Sequence, residues 1–273
     1  MASPPPMNMI ATSVYGYQLS LGVGITGVIL FTLSTCVHTY QMCVTRMWWL
    51  VVLILGGIMG YVARIYSWYD DTSLDAFLTQ TVTLMIAPSF FSAALYIAFG
   101  RIISILGRQY SLLPPFWYTV IFVIADIISL TVQAVGGGQA AVAARTNADT
   151  SNGTHIMVAG ICFQMLSMSI YVLLVIIYMI RLLKSKVELT RDMKNFLGGM
   201  SFVTLMIFIR CIYRTIELLE GWSGYIITHE VYFACLDGLP MIIAVVAFNV
   251  FHPDRYIKNA SQVNEVNTAT ELK

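Results

Sequence analysis

The sequence predicts an all-α polytopic membrane protein of seven transmembrane helices, and three observations predict it. Of its 273 residues 58% are hydrophobic and only 11% charged, against about 25% charged in soluble domains. Apolar runs of helical length recur seven times, and about 20 such residues cross the roughly 30 Å hydrocarbon layer of a bilayer as a helix. The connections between runs are short, so no soluble domain fits between them. Residues 18–252 therefore read as one transmembrane domain, flanked by a short external tail at 1–17 and a short cytoplasmic polar tail at 253–273. A net charge of +1 argues against a nucleic-acid or strongly acidic partner.

The opening MASPPPMNMIATSVYGY has no basic n-region and reads as an external tail, not a cleaved signal peptide. The first span is expected at 19–40 and the second at 47–66. Gly56 and Gly60 in the second form a small-xxx-small pair that favours close helix packing. The third span, 77–99, carries Pro88, whose missing N–H frees the carbonyl of Leu84. Asp126, Ser129 and Gln133 share one face of the fourth, 116–135, which Gly136, Gly137 and Gly138 close. That triplet reads as a flexible helix end, or as backbone N–H groups offered to an anion. The fifth span, 156–180, follows the sequon Asn152-Gly153-Thr154, placed in an external loop where a glycan can be added. In the sixth, 196–216, Arg210 and Arg214, with Glu217 following, fall within roughly 60° of one another on a helix. The seventh, 232–251, aligns Asp237 with Glu230, and Pro240 frees the carbonyl of Leu236 and kinks the helix.

Basic residues set the orientation. With the N-terminus outside, Arg46, Arg101, Arg108, Arg181, Lys184, Lys186, Arg191, Lys194, Arg255, Lys258 and Lys273 all fall on the cytoplasmic side, and external loops keep only Arg145. The bundle is expected N-outside and C-inside, with the second sequon, Asn259-Ala260-Ser261, cytoplasmic and bare. The five cysteines lie in spans or at their ends, which argues against a disulfide framework.

Depth then separates polar from apolar. At about 1.5 Å per residue, Asp126 lies near the midplane, and Asp237, Gln80, Gln133, Gln164, Arg64, Arg210 and Arg214 lie in the outer half. This describes a polar chamber facing outward. Arg64, Arg210 and Arg214 meet Asp126, Glu217, Glu230 and Asp237 there, and the charges nearly cancel. Two readings stand: a closed ionic network that only fixes helix packing, or a site that binds polar groups within the membrane.

GYVAR at 60–64, APSFFSAALY at 87–96, DIISLTVQAVGGG at 126–138, GICFQ at 160–164, RCIYRTIE at 210–217 and HEVYFACLDGLPM, running on to HP, at 229–253 together resemble the fungal RTA-like family of lipid-translocating exporters. The resemblance spans nearly the whole chain in order. It implies a seven-span fungal protein that exports sphingoid long-chain bases and confers resistance to amphiphilic toxicants. The family's motif positions carry over onto Arg64, Asp126, Gln133, Gln164, Arg210, Arg214, Glu217, Glu230 and Asp237. The chain departs from the family at Gly57, where a glutamate is usual.

Other classes fail on residues. The seventh span has no lysine for a retinal Schiff base, the four histidines are split between the two sides and cannot gather a metal, and no phosphate-binding loop exists. The expectation is a non-enzymatic glycoprotein of the plasma membrane, or of an internal membrane, that needs no cofactor or metal and moves an amphipathic lipid. A seven-helix receptor that senses such a lipid without moving it is the alternative. An ammonium head group would suit Asp126 and Asp237; a phosphate would suit Arg210 and Arg214.

Overall fold

The computed structural model describes residues 15, 17–45, 50–146, 148–185, 190–221 and 224–250, and over these the chain forms seven helices and no strand. In chain order they are α1 (Leu21–Thr45), α2 (Leu50–Tyr69), α3 (Leu74–Leu106), α4 (Pro115–Arg145), α5 (Ser151–Lys184), α6 (Arg191–Leu219) and α7 (Glu230–Val250). Each covers most or all of one of the seven apolar runs, and α3 to α7 are each long and apolar enough to cross a membrane. The Asn259 sequon and the C-terminal tail lie outside the described residues.

Local chemistry sets several boundaries. Ser73 caps α3 by accepting the N–H of Ala76, and Asp75 in the first turn complements the helix dipole. Gly107 ends α3 at φ +122°, a conformation that disfavours side chains, and its N–H returns to the carbonyl of Ile103. Pro115 opens α4 at a position where its missing N–H costs nothing.

Three helices are much longer than their apolar runs. At 33, 31 and 34 residues, α3, α4 and α5 reach about 46–51 Å, well past the hydrocarbon layer. The expected end of the fourth span at Val135 is corrected: α4 continues through the glycine triplet to Arg145. These glycines are neither a frayed end nor an exposed nest. A Cβ on Gly136 would lie 2.4 Å from the backbone N of Met157, and one on Gly153 would lie 2.4 Å from that of Ala140. The backbones of α4 and α5 touch at this seam, which Gly160 extends with a Cβ position 3.0 Å from the carbonyl of Ser129. Gly56 and Gly60 act likewise for α2 against α3, facing Ala87 and Leu84. Asn152, expected in a loop, is an exposed residue in the first turn of α5.

Sequential helices pack on one another, α7 also meets α1, and α3 touches α6 across the interior. One end of the bundle holds Tyr15, residues 17–20, the α2–α3 connection, the C-terminal ends of α4 and α6 and the N-terminal ends of α5 and α7; it is called the tail end below. The other, the basic end, carries Arg108, Arg181, Lys184, Arg191 and Lys194. Toward the basic end the core is aromatic: Phe99 sets its ring edge-on to Tyr118, Tyr171 and Tyr178 at 5.2, 5.9 and 5.4 Å. Large apolar side chains such as Ile127, Leu166 and Leu173 point outward, as helices bathed in lipid require.

The α4–α5 seam makes a clear test. Gly153→Val should push the helices apart and cost about 1–3 kcal/mol or more, read as a lower thermal midpoint in detergent. Gly138→Ala, whose Cβ meets nothing within 4 Å, should be neutral or stabilise by up to about 1 kcal/mol. Equal losses in the two variants would refute the seam.

Candidate functional site

The sequence-selected polar residues converge in the tail half of the bundle, and Pro88 organises their centre. Without a proline N–H, the carbonyl of Leu84 loses its helical partner inside the membrane, where a bare acceptor is costly. Arg210 of α6 supplies the replacement: its Nη2 donates to Leu84 O at 2.6 Å. Beside it, Arg210 Nε lies 2.9 Å from Asp237 Oδ1 with the N–H not directed at the oxygen, so this contact is an ion pair and not a hydrogen bond. Arg214 approaches the same oxygen at 3.9 Å and pairs with Glu217 at 2.5 Å, while Tyr213 donates to the other oxygen of Glu217 at 3.0 Å.

Asp237 reaches both arginines from an irregular stretch of α7. Residues Phe233–Gly238 form a π-helical turn just before Pro240, a wide turn of the kind common at functional sites. It changes the angular relation between Glu230 and Asp237, which were expected on one face. Glu230 serves a separate pair nearer the tail end, where Arg64 Nη2 meets its Oε1 at 2.6 Å.

The tail covers that pair. Tyr17 accepts a 3.0 Å hydrogen bond from Arg64, the Ser20 N–H donates to Glu230 at 3.0 Å, and Phe233 lies under the guanidinium, 4.4 Å from its ring centre. Tyr15 is buried, its hydroxyl 2.9 Å from Gln80 Oε1 and from Ser67 Oγ. Burial pushes the Tyr15 hydroxyl up to about 12 and raises that of Tyr17, so both stay neutral at physiological pH. The chamber expected to open outward is thus capped at this end by Tyr15 and residues 17–20.

Asp126 differs from the other three carboxylates. It is 4% exposed and accepts a 3.2 Å hydrogen bond from Tyr96, and among the described residues no arginine or lysine pairs with it. It faces a cavity of about 30 Å³ shared with Tyr96, Gln133, Gln164, Arg210 and Arg214, room for one or two water-sized groups. Gln133 donates to Gln164 at 3.0 Å, and Gln164 donates to Ser89 at 3.0 Å. Three arginines and three carboxylates form pairs, and Asp126 is the carboxylate left over.

Gly57 borders a second void, of about 10 Å³, lined also by Arg210, Asp237 and Tyr61. Phe31 occupies the space a side chain would take, its Cδ1 lying 2.8 Å from the position of a Gly57 Cβ. The sequence did not reveal Tyr17, Tyr96 or Tyr213 as partners of these charges. A tyrosine in an apolar run reads equally as core or interface, and no spacing marks its hydroxyl's target.

A family described as RTA1 like protein matches residues 50–260. The chain is 33% identical, over 92% of its length and 76% of that protein's, to a sphingoid long-chain base transporter, RSB1, of Saccharomyces cerevisiae strain Lalvin EC1118. Protein RTA1 of Saccharomyces cerevisiae strain S288c is 32% identical over 71% of this chain and 62% of its own, and protoporphyrin uptake protein 1 of the same strain is 26% identical over 70% and 63%. No solved structure matches.

Arg210→Ala and Asp237→Ala should each lower folded yield, since stranding one charge of a buried pair costs about 3–5 kcal/mol. Pro88→Ala, which restores an N–H for Leu84 O, should offset part of the Arg210→Ala loss, by about 1.5–3 kcal/mol for a hydrogen bond to a charged group. Thermal unfolding of the two single variants and the double variant measures this coupling. Strict additivity would show that Leu84 O does not depend on Arg210.

Proposed function

The chain belongs to the RTA1-like family, and on that premise we propose that it binds a cationic amphiphile, a sphingoid long-chain base or a similar long-chain amine, and moves it across or out of the bilayer. The observation that carries this reading is the unpaired Asp126. A buried carboxylate without a counter-ion ionises only at a high desolvation cost, and a cation beside it removes that cost, so the site favours a cationic group over a neutral or anionic one. A primary ammonium is about the size of the cavity beside Asp126 and can donate to a carboxylate and to amide oxygens together. The arginines that would hold a phosphate are already engaged with Asp237 and Glu217, which argues for the amine over the phosphate. The named relatives handle chemically different cargo, a long-chain base and a porphyrin, so the choice of an amine rests on this chain's own carboxylate.

In this reading Asp126 is the counter-ion, Gln133 and Gln164 offer amide groups beside it, and the Arg64, Arg210 and Arg214 pairs hold the helices that form the chamber. No bond is made or broken in the cargo. The tail end faces outward, in the plasma membrane, and removal of amphiphiles from the inner leaflet accounts for resistance to lipophilic toxicants.

Two measurements test it. In liposomes containing only this protein, a labelled long-chain base should exchange between leaflets faster than in protein-free vesicles. Asp126→Asn, which keeps shape while removing charge, should reduce that rate at least tenfold with an unchanged thermal midpoint. Saturable binding without flux, with or without a proton gradient, would instead leave a receptor. For orientation, glycosidase should shift the mobility of the wild type but not of Asn152→Gln, and a glycan on Asn259 would reverse the assignment.

A further inference from the structure

A cavity far larger than those of the chamber lies outside it. α3 and α4 are close toward the basic end, where a Cβ on Gly100 would sit 2.9 Å from the carbonyl of Pro115 and the rings of Phe99 and Tyr118 are 5.2 Å apart. In the tail half they leave between them a groove of about 740 Å³, lined by Leu78, Val82, Ile86, Leu130, Ala134 and Gly138 among others. This volume lies in the range of about 300–1,000 Å³ typical of small-molecule sites. Along α3 the lining runs from Leu74 to Phe90, about 24 Å at 1.5 Å per residue, more than the roughly 15 Å depth of one leaflet's hydrocarbon.

The groove and the chamber adjoin. Met85 and Gln133 line both the groove and the Asp126 cavity, so these two side chains are the partition between a lipid-facing apolar slot and an unpaired buried carboxylate. Methionine is unbranched and repacks readily, and Gln133 is held by a single side-chain hydrogen bond to Gln164 at 3.0 Å. Across the mouth, Arg145 of α4 pairs with Asp75 of α3, both exposed. Such a surface pair contributes little stability and separates readily.

We infer that the α3–α4 groove is the binding site for the hydrocarbon chain of the same amphiphile, which enters sideways from the bilayer with its ammonium passing between Met85 and Gln133 to Asp126. The occupant follows from continuity and charge. An apolar slot ending at an uncompensated carboxylate matches a molecule with a long apolar body and one cationic end. A neutral lipid would leave Asp126 unpaired, and an anionic one would be repelled. The inference rests on the reading of Asp126 as an amine counter-ion and adds where the chain lies and by which route the head group arrives.

The test is a long-chain base bearing a diazirine near the end of its chain, equilibrated with the full-length protein in phosphatidylcholine liposomes, irradiated, and mapped by peptide mass spectrometry. Label should concentrate in residues 78–90 and 130–144 and fall when unlabelled base is added in excess. Asp126→Asn should abolish the competed fraction. Gly138→Phe should abolish it too, because Gly138 lines the groove and a Cβ there meets nothing within 4 Å, and an unchanged thermal midpoint checks that the helices stay in place. Competed label elsewhere, or groove label that survives Gly138→Phe or Asp126→Asn, would overturn the inference. Failure of the transport reading is distinguishable: competed groove label without leaflet exchange sinks transport and keeps the site, whereas exchange with no competed label in the groove sinks the site and keeps transport.

Discussion

The tail half of this bundle is governed by one constraint, that a charge placed among lipid-embedded helices must find its partner inside the protein. Three arginines and three carboxylates meet it pairwise, each pair joining different elements or successive turns of one. Arg64 with Glu230 ties α2 to α7, Arg210 with Asp237 ties α6 to α7, and Arg214 with Glu217 braces the last turn of α6. Buried pairs of this kind add little net stability over an apolar core but make every other arrangement costly. Their effect is to fix which helices lie together in the region where apolar packing against lipid-like surfaces discriminates poorly.

The proline in α3 belongs to the same economy. By withdrawing one N–H, Pro88 leaves a free acceptor at Leu84, and Arg210 reaches it from another helix. α3 is thereby pinned to α6 across the interior. The π turn of α7 completes the junction by presenting Asp237 to both α6 arginines. A backbone irregularity in each of two helices thus becomes a polar contact at the centre of the bundle.

The two halves of the molecule differ in what holds them. Toward the basic end, interlocked aromatic rings and the Gly100 contact hold α3 against α4. Toward the tail end the same two helices enclose an open apolar groove, bridged at its mouth by the exposed Arg145–Asp75 pair and at its inner side by the Tyr96–Asp126 hydrogen bond. Tyr15 and residues 17–20 cover the other route to the charges, with Tyr15 and Tyr17 as neutral hydrogen-bonding groups that do not titrate near physiological pH.

The sequence by itself determined the fold class, the number of helices, the polar residues that gather inside the tail half and the consequence of Pro88 for Leu84. Each of these is a one-dimensional property: apolar length against bilayer thickness, charge against hydrocarbon, a missing N–H against a fixed hydrogen-bond register. The length of α4 was misread because a glycine triplet looks the same whether it ends a helix or lets two backbones touch, and only Met157 and Gly153 of α5 distinguish the cases. Pairing was likewise undetermined. Three arginines and four carboxylates on four helices admit many combinations, and the choice that leaves Asp126 alone depends on how those helices are rotated and on the π turn in α7. The cap over Arg64 and the α3–α4 groove are arrangements in space between segments distant in the chain, and no periodicity within one segment encodes them.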